Sequence, residues 1–311
     1  LGNHFSDVWF SWLAAALNIA LLYHLLNALV AAGWSRRTAR ENAIIALTFG
    51  LGTIALWLAL GGTVWFVAQT LAVTFTFIML LGVVRRNWWL ASAALGALFL
   101  TRTPDALGAI VLGAALLWHT VPGSSPRRWT SWPTALRRGF NRPLLARPLL
   151  SSLAISRPSW SRLTAALVPF AVAIGIWLVR NQLYFGHPLS SGYDVQIQQD
   201  YPQIKYGLLS WHYVWPNFVA DFLNMPAFTF RTPYDLTPLG DLLRGGNGTS
   251  VFFTTPLFLL FFLPARSSAP AWLRLALWLA VAGLVIFALF WNLTGWYQAG
   301  ARYLFDAYPY L

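Results

Sequence analysis

The sequence predicts an all-α fold, a polytopic transmembrane helical bundle with an extracytoplasmic loop cap, and three observations lead there. Of the 311 residues, 58% are apolar and only 10% are charged, against about 25% charged in soluble domains. The apolar residues gather into runs that approach the ~20 needed to cross a ~30 Å hydrocarbon core. The charged residues then sort by sign into alternate loops.

One set of loops carries Arg36, Arg37, Arg40, Arg85, Arg86, Arg127, Arg128, Arg137, Arg138, Arg142, Arg147, Arg157, Arg162, Arg266 and Arg274. The other carries Asp7, Asp105, Asp194, Asp200, Asp221, Asp235, Asp241 and Asp306, which leaves Glu41 as the one acid on the basic side. By the positive-inside rule the basic set is cytoplasmic. Carboxylate chemistry is then expected on the outer face.

The elements follow in order. Residues 8–32 span inward, 42–60 outward and 63–84 inward, with Gly61 and Gly62 making a tight outer turn. Residues 88–100 go outward and 106–119 return; 163–179 go outward, about 248–263 inward and 275–291 outward, and 302–311 open a ninth span. In domain terms, 1–119 holds about five spans, 120–162 is a basic cytoplasmic loop and 163–180 is one span. The stretch 181–247 is an aromatic-rich extracytoplasmic cap, and 248–311 returns to the membrane with a truncated last helix. The chain starts at Leu1 without Met and stops within an apolar run, so it reads as a fragment.

Several function classes drop out. The net charge of +12 lies in loops between spans rather than in a stripe on a folded domain, so nucleic acid is not an expected partner. With no cysteine there is no disulfide, thiolate nucleophile or zinc-thiolate site. Phosphate-loop, hydrolase-elbow, zinc-helix and dinucleotide signatures are all missing, and neither cofactor nor metal is expected. Twenty Arg against one Lys fit a GC-rich, bacterial genome.

Three clusters carry candidate chemistry. The turn Thr101-Arg102-Thr103-Pro104-Asp105 joins two short spans, each covering only about 20 Å at 1.5 Å per residue. It should lie below the outer surface, where charges survive only inside protein or a wet cavity. Arg102 could hold a phosphate with Asp105 orienting it, or the two could simply pair to close the hairpin.

The second cluster, Arg180, Asn181, His187, Tyr193 and Asp194, sits at the outer end of a span and could wall a polar headgroup; a snorkelling Arg180 is the plainer alternative. The third is Tyr297, Arg302 and Asp306, with Arg302 and Asp306 at i and i+4, able to pair or to offer Arg302 to a phosphate. Gln69, Thr70 and Thr74 are expected to be helix–helix contacts, and His24 and His119 to be structural. Trp211, Trp215, Phe218 and Phe222 recur at i, i+4, i+7 and i+11, as on one face of an interfacial helix.

The order of these features resembles the polytopic glycosyltransferases of the C superfamily, notably bacterial relatives of protein O-mannosyltransferases and of the aminoarabinose transferase. The stretches that carry the resemblance are Phe49 to Trp57 leading to Gly62-Thr63-Val64-Trp65-Phe66, and Gly96 to Arg102. Two more are Arg180-Asn181 with Phe185-Gly186-His187-Pro188 and Gly192-Tyr193, and Ala301-Arg302-Tyr303 with Pro309. The resemblance implies transfer of a sugar from a polyprenyl-phosphate donor to a lipid, glycan or protein acceptor on the outer face of the bacterial inner membrane. It places the catalytic carboxylate in the first outer loop, upstream of Leu1, and that role is not carried to Asp7. It further implies that Arg102, Arg180 and Arg302 surround the donor phosphate, while Asp105, Asn181, His187, Tyr193, Asp194, Tyr297 and Asp306 line the cavity. Two other classes stand beside it: a secondary transporter or lipid flippase, and a non-catalytic membrane scaffold.

Overall fold

A computed structural model describes residues 6–120, 160–190, 192, 206–224, 249–262, 268–292 and 301–311. These are helical throughout apart from turns and one antiparallel bridge between Leu209 and Trp291. Among these described residues four helices are long and apolar enough to cross a membrane: α1 (Asp7–Ala31), α4 (Val64–Val84), α7 (Trp160–Phe185) and α10 (Ala271–Phe290). A fifth forms if α2 (Ala39–Leu51) and α3 (Ile54–Gly61) are counted together. The shorter apolar helices are α5 (Trp88–Thr101) and α6 (Ala109–Thr120).

In α1 the buried stripe Ser11, Ala14, Asn18, Leu22, Leu25 follows the helical repeat and faces α4. Asn18 donates its amide to the Thr70 carbonyl at 2.9 Å and accepts from the Thr74 hydroxyl at 2.6 Å. These bonds fulfil the helix-contact role expected of Thr70 and Thr74. Val8 packs by Gly62, just before α4, and Asn18 by Thr70 and Thr74, so α1 and α4 run parallel. At the start of α2, Thr38 and Glu41 form a capping box in which the Glu41 carboxylate accepts from the Thr38 N–H at 2.7 Å. That bond explains the one acid on the basic side.

The expected single span over 42–60 is instead a bent pair, with 50° between α2 and α3. Thr53 breaks it by taking an extended backbone, donating to the Phe49 carbonyl at 2.6 Å and capping α3 at the Ala55 N–H. The tight turn at Gly61–Gly62 holds, and Gly62 supplies the left-handed conformation. At the opposite end, α4 and α5 form a hairpin in which Gly82 backs directly onto the Ala91 backbone.

Helices α5 and α7 run parallel: the Phe170 N–H donates to Ser92 at 3.1 Å, Gly96 meets Ala173, and Phe99 packs on Phe170 and Trp177. The observed α7 extends beyond both ends of the expected 163–180 span. Helices α6 and α10 run antiparallel, with Leu107 on Gly283 and Trp118 on Trp272.

Two further expectations give way. The stretch expected to span over 248–263 is, where described, a four-residue helix α9 (Val251–Thr254) followed by a 3-10 helix Pro256–Phe262. Pro256 has no N–H to donate and forces Thr255 out of the helical region. The final stretch is not an opening α-helix either: Arg302–Tyr310 is a 3-10 helix that threads beside α4, with Leu304, Phe305, Ala307, Tyr308 and Tyr310 in the core.

The aromatic run 211–222 also departs from one regular helix, passing from a 3-10 turn through α8 (Val214–Phe218) into a π-helix Val219–Leu223. Trp215, Phe218 and Phe222 still stack in series, whereas Trp211 turns to Phe290. Asn217 fixes this segment to the end of α10, its amide nitrogen lying 3.1, 2.9 and 2.7 Å from the carbonyls of Ala288, Leu289 and Trp291. Those carbonyls are ones a helix terminus leaves open.

Candidate functional site

Where α5 ends, Arg102 adopts an extended backbone, and Thr103–Gly108 forms a 3-10 turn with Pro104 at its start. This tightening turns the short hairpin over and tucks Asp105 inward, leaving it only 2% exposed. The 3-10 helix 302–310 arrives from the far end of the chain and sets Asp306 against it. Arg102 donates to Asp306 Oδ2 from Nη2 at 2.6 Å and from Nε at 3.0 Å, and its Nε lies 3.6 Å from Asp105 Oδ2. One guanidinium thus faces two buried carboxyl groups that adjoin each other.

The i, i+4 pair of Arg302 with Asp306 does not form. A 3-10 helix repeats every three residues, so position 306 rotates away from 302 and meets Arg102 instead. Arg302 is itself buried, its guanidinium over the Phe66 and Tyr303 rings at 5.6 and 5.0 Å, with Nη2 donating to the Tyr303 hydroxyl at 3.2 Å. Gln69, expected to bridge helices, donates to the Arg302 carbonyl at 2.8 Å and pins that residue to α4. Arg302 still acts electrostatically on Asp306.

The hydrogen-bonding capacity left open here is uneven. Among the described residues, Oε1 of Gln69 accepts no hydrogen bond and Nε of Arg302 donates none, and the Asp105 oxygens and Oδ1 of Asp306 find no donor beyond the other carboxyl group. Among the described residues, several acceptor oxygens and one cationic donor thus lie buried close together at this junction.

Arg180 and Asn181 sit at the end of α7. The offset of 78 residues that pairs Ser92 with Phe170 also separates Arg102 from Arg180, so the parallel helices bring both arginines to the same height. Arg180 remains exposed, lies over the Tyr184 and Phe185 rings, and donates from Nη1 to the Asn181 side-chain oxygen Oδ1 at 3.4 Å. Asn181 is fully buried and donates to the Pro188 carbonyl at 3.3 Å. His187 accepts from the Leu189 N–H at 3.3 Å, an ordinary turn contact. Tyr193, Asp194 and Tyr297 lie outside the described residues.

Asp221 is a further buried carboxyl, in the π-helix beside Asn217, and the sequence reading gave it no role. Burial pushes it up to about 7. Its only signal in the sequence was an acid inside an aromatic run.

The class defined by this fold is, among the described residues, all-helical with four helices that could each span a membrane, or five with the bent pair. No family model, curated protein or solved structure matches the chain.

Proposed function

We propose that the chain belongs to a bacterial inner-membrane glycosyltransferase that moves a sugar from a polyprenyl-phosphate donor to an acceptor at the extracytoplasmic face. The observation that carries this reading is the convergence of Arg102, Asp105, Arg302 and Asp306, with Gln69, at the end of the bundle remote from the Arg-rich loops. Its open acceptors suit sugar or acceptor hydroxyls, and Arg302 suits the phosphate. Arg102, already held by two carboxylates, positions those carboxylates rather than gripping the donor. Arg180, level with Arg102 and exposed, offers a second cation to the departing phosphate.

The chemistry is consistent. Departure of a polyprenyl phosphate builds negative charge that a fixed cation stabilises, while the acceptor hydroxyl needs a carboxylate base. The resemblance implies that base in the family's first outer loop, and the packing of residues 211–217 on the end of α10 supports reading them as part of an outer cap.

The test is transfer of labelled sugar from a polyprenyl-phosphate donor by the full-length enzyme in liposomes. Arg302→Ala should raise the donor KM roughly tenfold or more, the loss of one charge-assisted hydrogen bond. Unchanged KM and kcat would remove Arg302 from the donor site. A second reading, a proton-coupled transporter, is favoured by the buried Asp105–Asp306 pair, since intramembrane carboxylates commonly mark ion pathways. Proton uptake by the liposomes driven by a substrate gradient, with no sugar transfer, would select it.

A further inference from the structure

At the Arg-rich end of the bundle, four helix termini meet around a hollow of about 170 Å³ lined by Arg86, Trp88, His119 and Arg162. Arg86 comes from the α4–α5 turn, Trp88 from the start of α5, His119 from the end of α6 and Arg162 from the start of α7. Arg162 donates to the His119 carbonyl at 3.5 Å, Trp88 packs on the His119 ring, and both arginines act electrostatically on that ring. Among the described residues the lining contains three basic side chains and no carboxylate. Both guanidinium groups are exposed, so an anion from solvent or from a headgroup can reach them.

A second observation is independent of the first. Arg86 closes α4 with φ +58°, in the left-handed region, while the N–H groups of Arg86 and Asn87 donate back to Val83 and Gly82. That terminus ordinarily carries glycine, because any side chain there strains the backbone. An arginine at the glycine position keeps a guanidinium at the hollow at a conformational cost. Placing positive charge on this side of the membrane needs basic residues somewhere in the loops, but not their convergence on one hollow.

The size limits the ligand. At about 170 Å³ the hollow is well under the 300–1,000 Å³ of pockets for whole small molecules. We propose that Arg86, Arg162 and His119 form a receptor for a single phosphate group, with Trp88 as its apolar wall. The phosphate can belong to a lipid headgroup or to a soluble ion, and bidentate Arg contacts suit both.

The test is thermal unfolding of the full-length protein in a neutral detergent, titrated with inorganic phosphate against sodium chloride of equal ionic strength. It is repeated in nanodiscs of phosphatidylcholine with and without phosphatidylglycerol. Stabilisation by phosphate beyond chloride, or by phosphatidylglycerol alone, supports the receptor; the first assigns it to a soluble anion and the second to a lipid headgroup. Arg162→Gln should weaken half-saturation roughly tenfold or more. Arg86→Gly relieves the left-handed backbone, so the fold is retained or firmer while the ligand response is lost. Equal responses to phosphate and chloride together with indifference to phosphatidylglycerol, or full responses in both variants, would overturn the proposal.

Discussion

Arg102→Ala is expected to be among the most damaging single substitutions in the bundle. The side chain is 16% exposed and makes two bonds to Asp306, at 2.6 and 3.0 Å, with Asp105 at 3.6 Å. Removing one partner of a buried ion pair costs about 3–5 kcal/mol, because the other is left charged without compensation. Here two carboxyl groups, each 3% exposed in the side chain, would be left facing one another. They can share a proton, so a cost within that range rather than beyond it is expected. Asp306→Asn removes one of the two acids and leaves Asp105 beside Arg102, so its cost should be nearer 1–3 kcal/mol. Combining the two changes takes out the cation and one anion together. The double variant should then be less damaged than the sum of the singles, with a coupling of roughly 2 kcal/mol or more, within the range seen for contacting residues. Equilibrium unfolding of the four proteins in mixed micelles measures this cycle. A loss below about 1 kcal/mol for Arg102→Ala, or strictly additive costs, would refute the clamp.

Two further outcomes follow from other parts of the molecule. Asp221 titrates near 7 in the folded chain, against about 3.9 in an unfolded one, so the folded state holds a proton that the unfolded state has lost between those values. Stability should therefore be highest below about pH 4 for this group and fall towards pH 7, by at most about 4 kcal/mol. Asp221→Asn should flatten that fall, and an unaltered pH profile in the variant would show that burial of Asp221 is not its source. Gly82→Ala would bring a Cβ to 2.7 Å from the Ala91 nitrogen and 2.9 Å from its Cα, where only backbone movement makes room. Prying α4 from α5 in this way should cost about 1–3 kcal/mol in the same unfolding assay, and a neutral result would mean that the hairpin opens freely.

Much of the bundle was legible in the chain because a helix in an apolar setting must satisfy its own backbone and advertise its length in hydropathy. The bounds of α1 and α4, the presence of α10 and the shortness of α5 and α6 followed from that, as did a buried turn at Arg102 and Asp105, while α10 begins one turn before the expected 275. The breaks were harder to read. Thr53 and Thr255 interrupt apolar runs through their backbone conformations, which hydropathy does not report. Residues 302–310 look like the start of a span by composition, yet they form a 3-10 helix buried beside α4. The spacing of Arg302 and Asp306 suggested a pair only on the assumption of an α-helical repeat.

The sequence by itself determined the helical class, the separation of basic and acidic loops, and the residue types available for chemistry. Only the tertiary structure decided which charges meet. Arg102 and Asp306 are 204 positions apart, and no local rule links them. They touch because a tight 3-10 turn after α5 faces a second 3-10 segment threaded beside α4. The same holds at the opposite end, where Arg86, His119 and Arg162 are scattered in sequence and converge because four helix termini share one corner of the bundle.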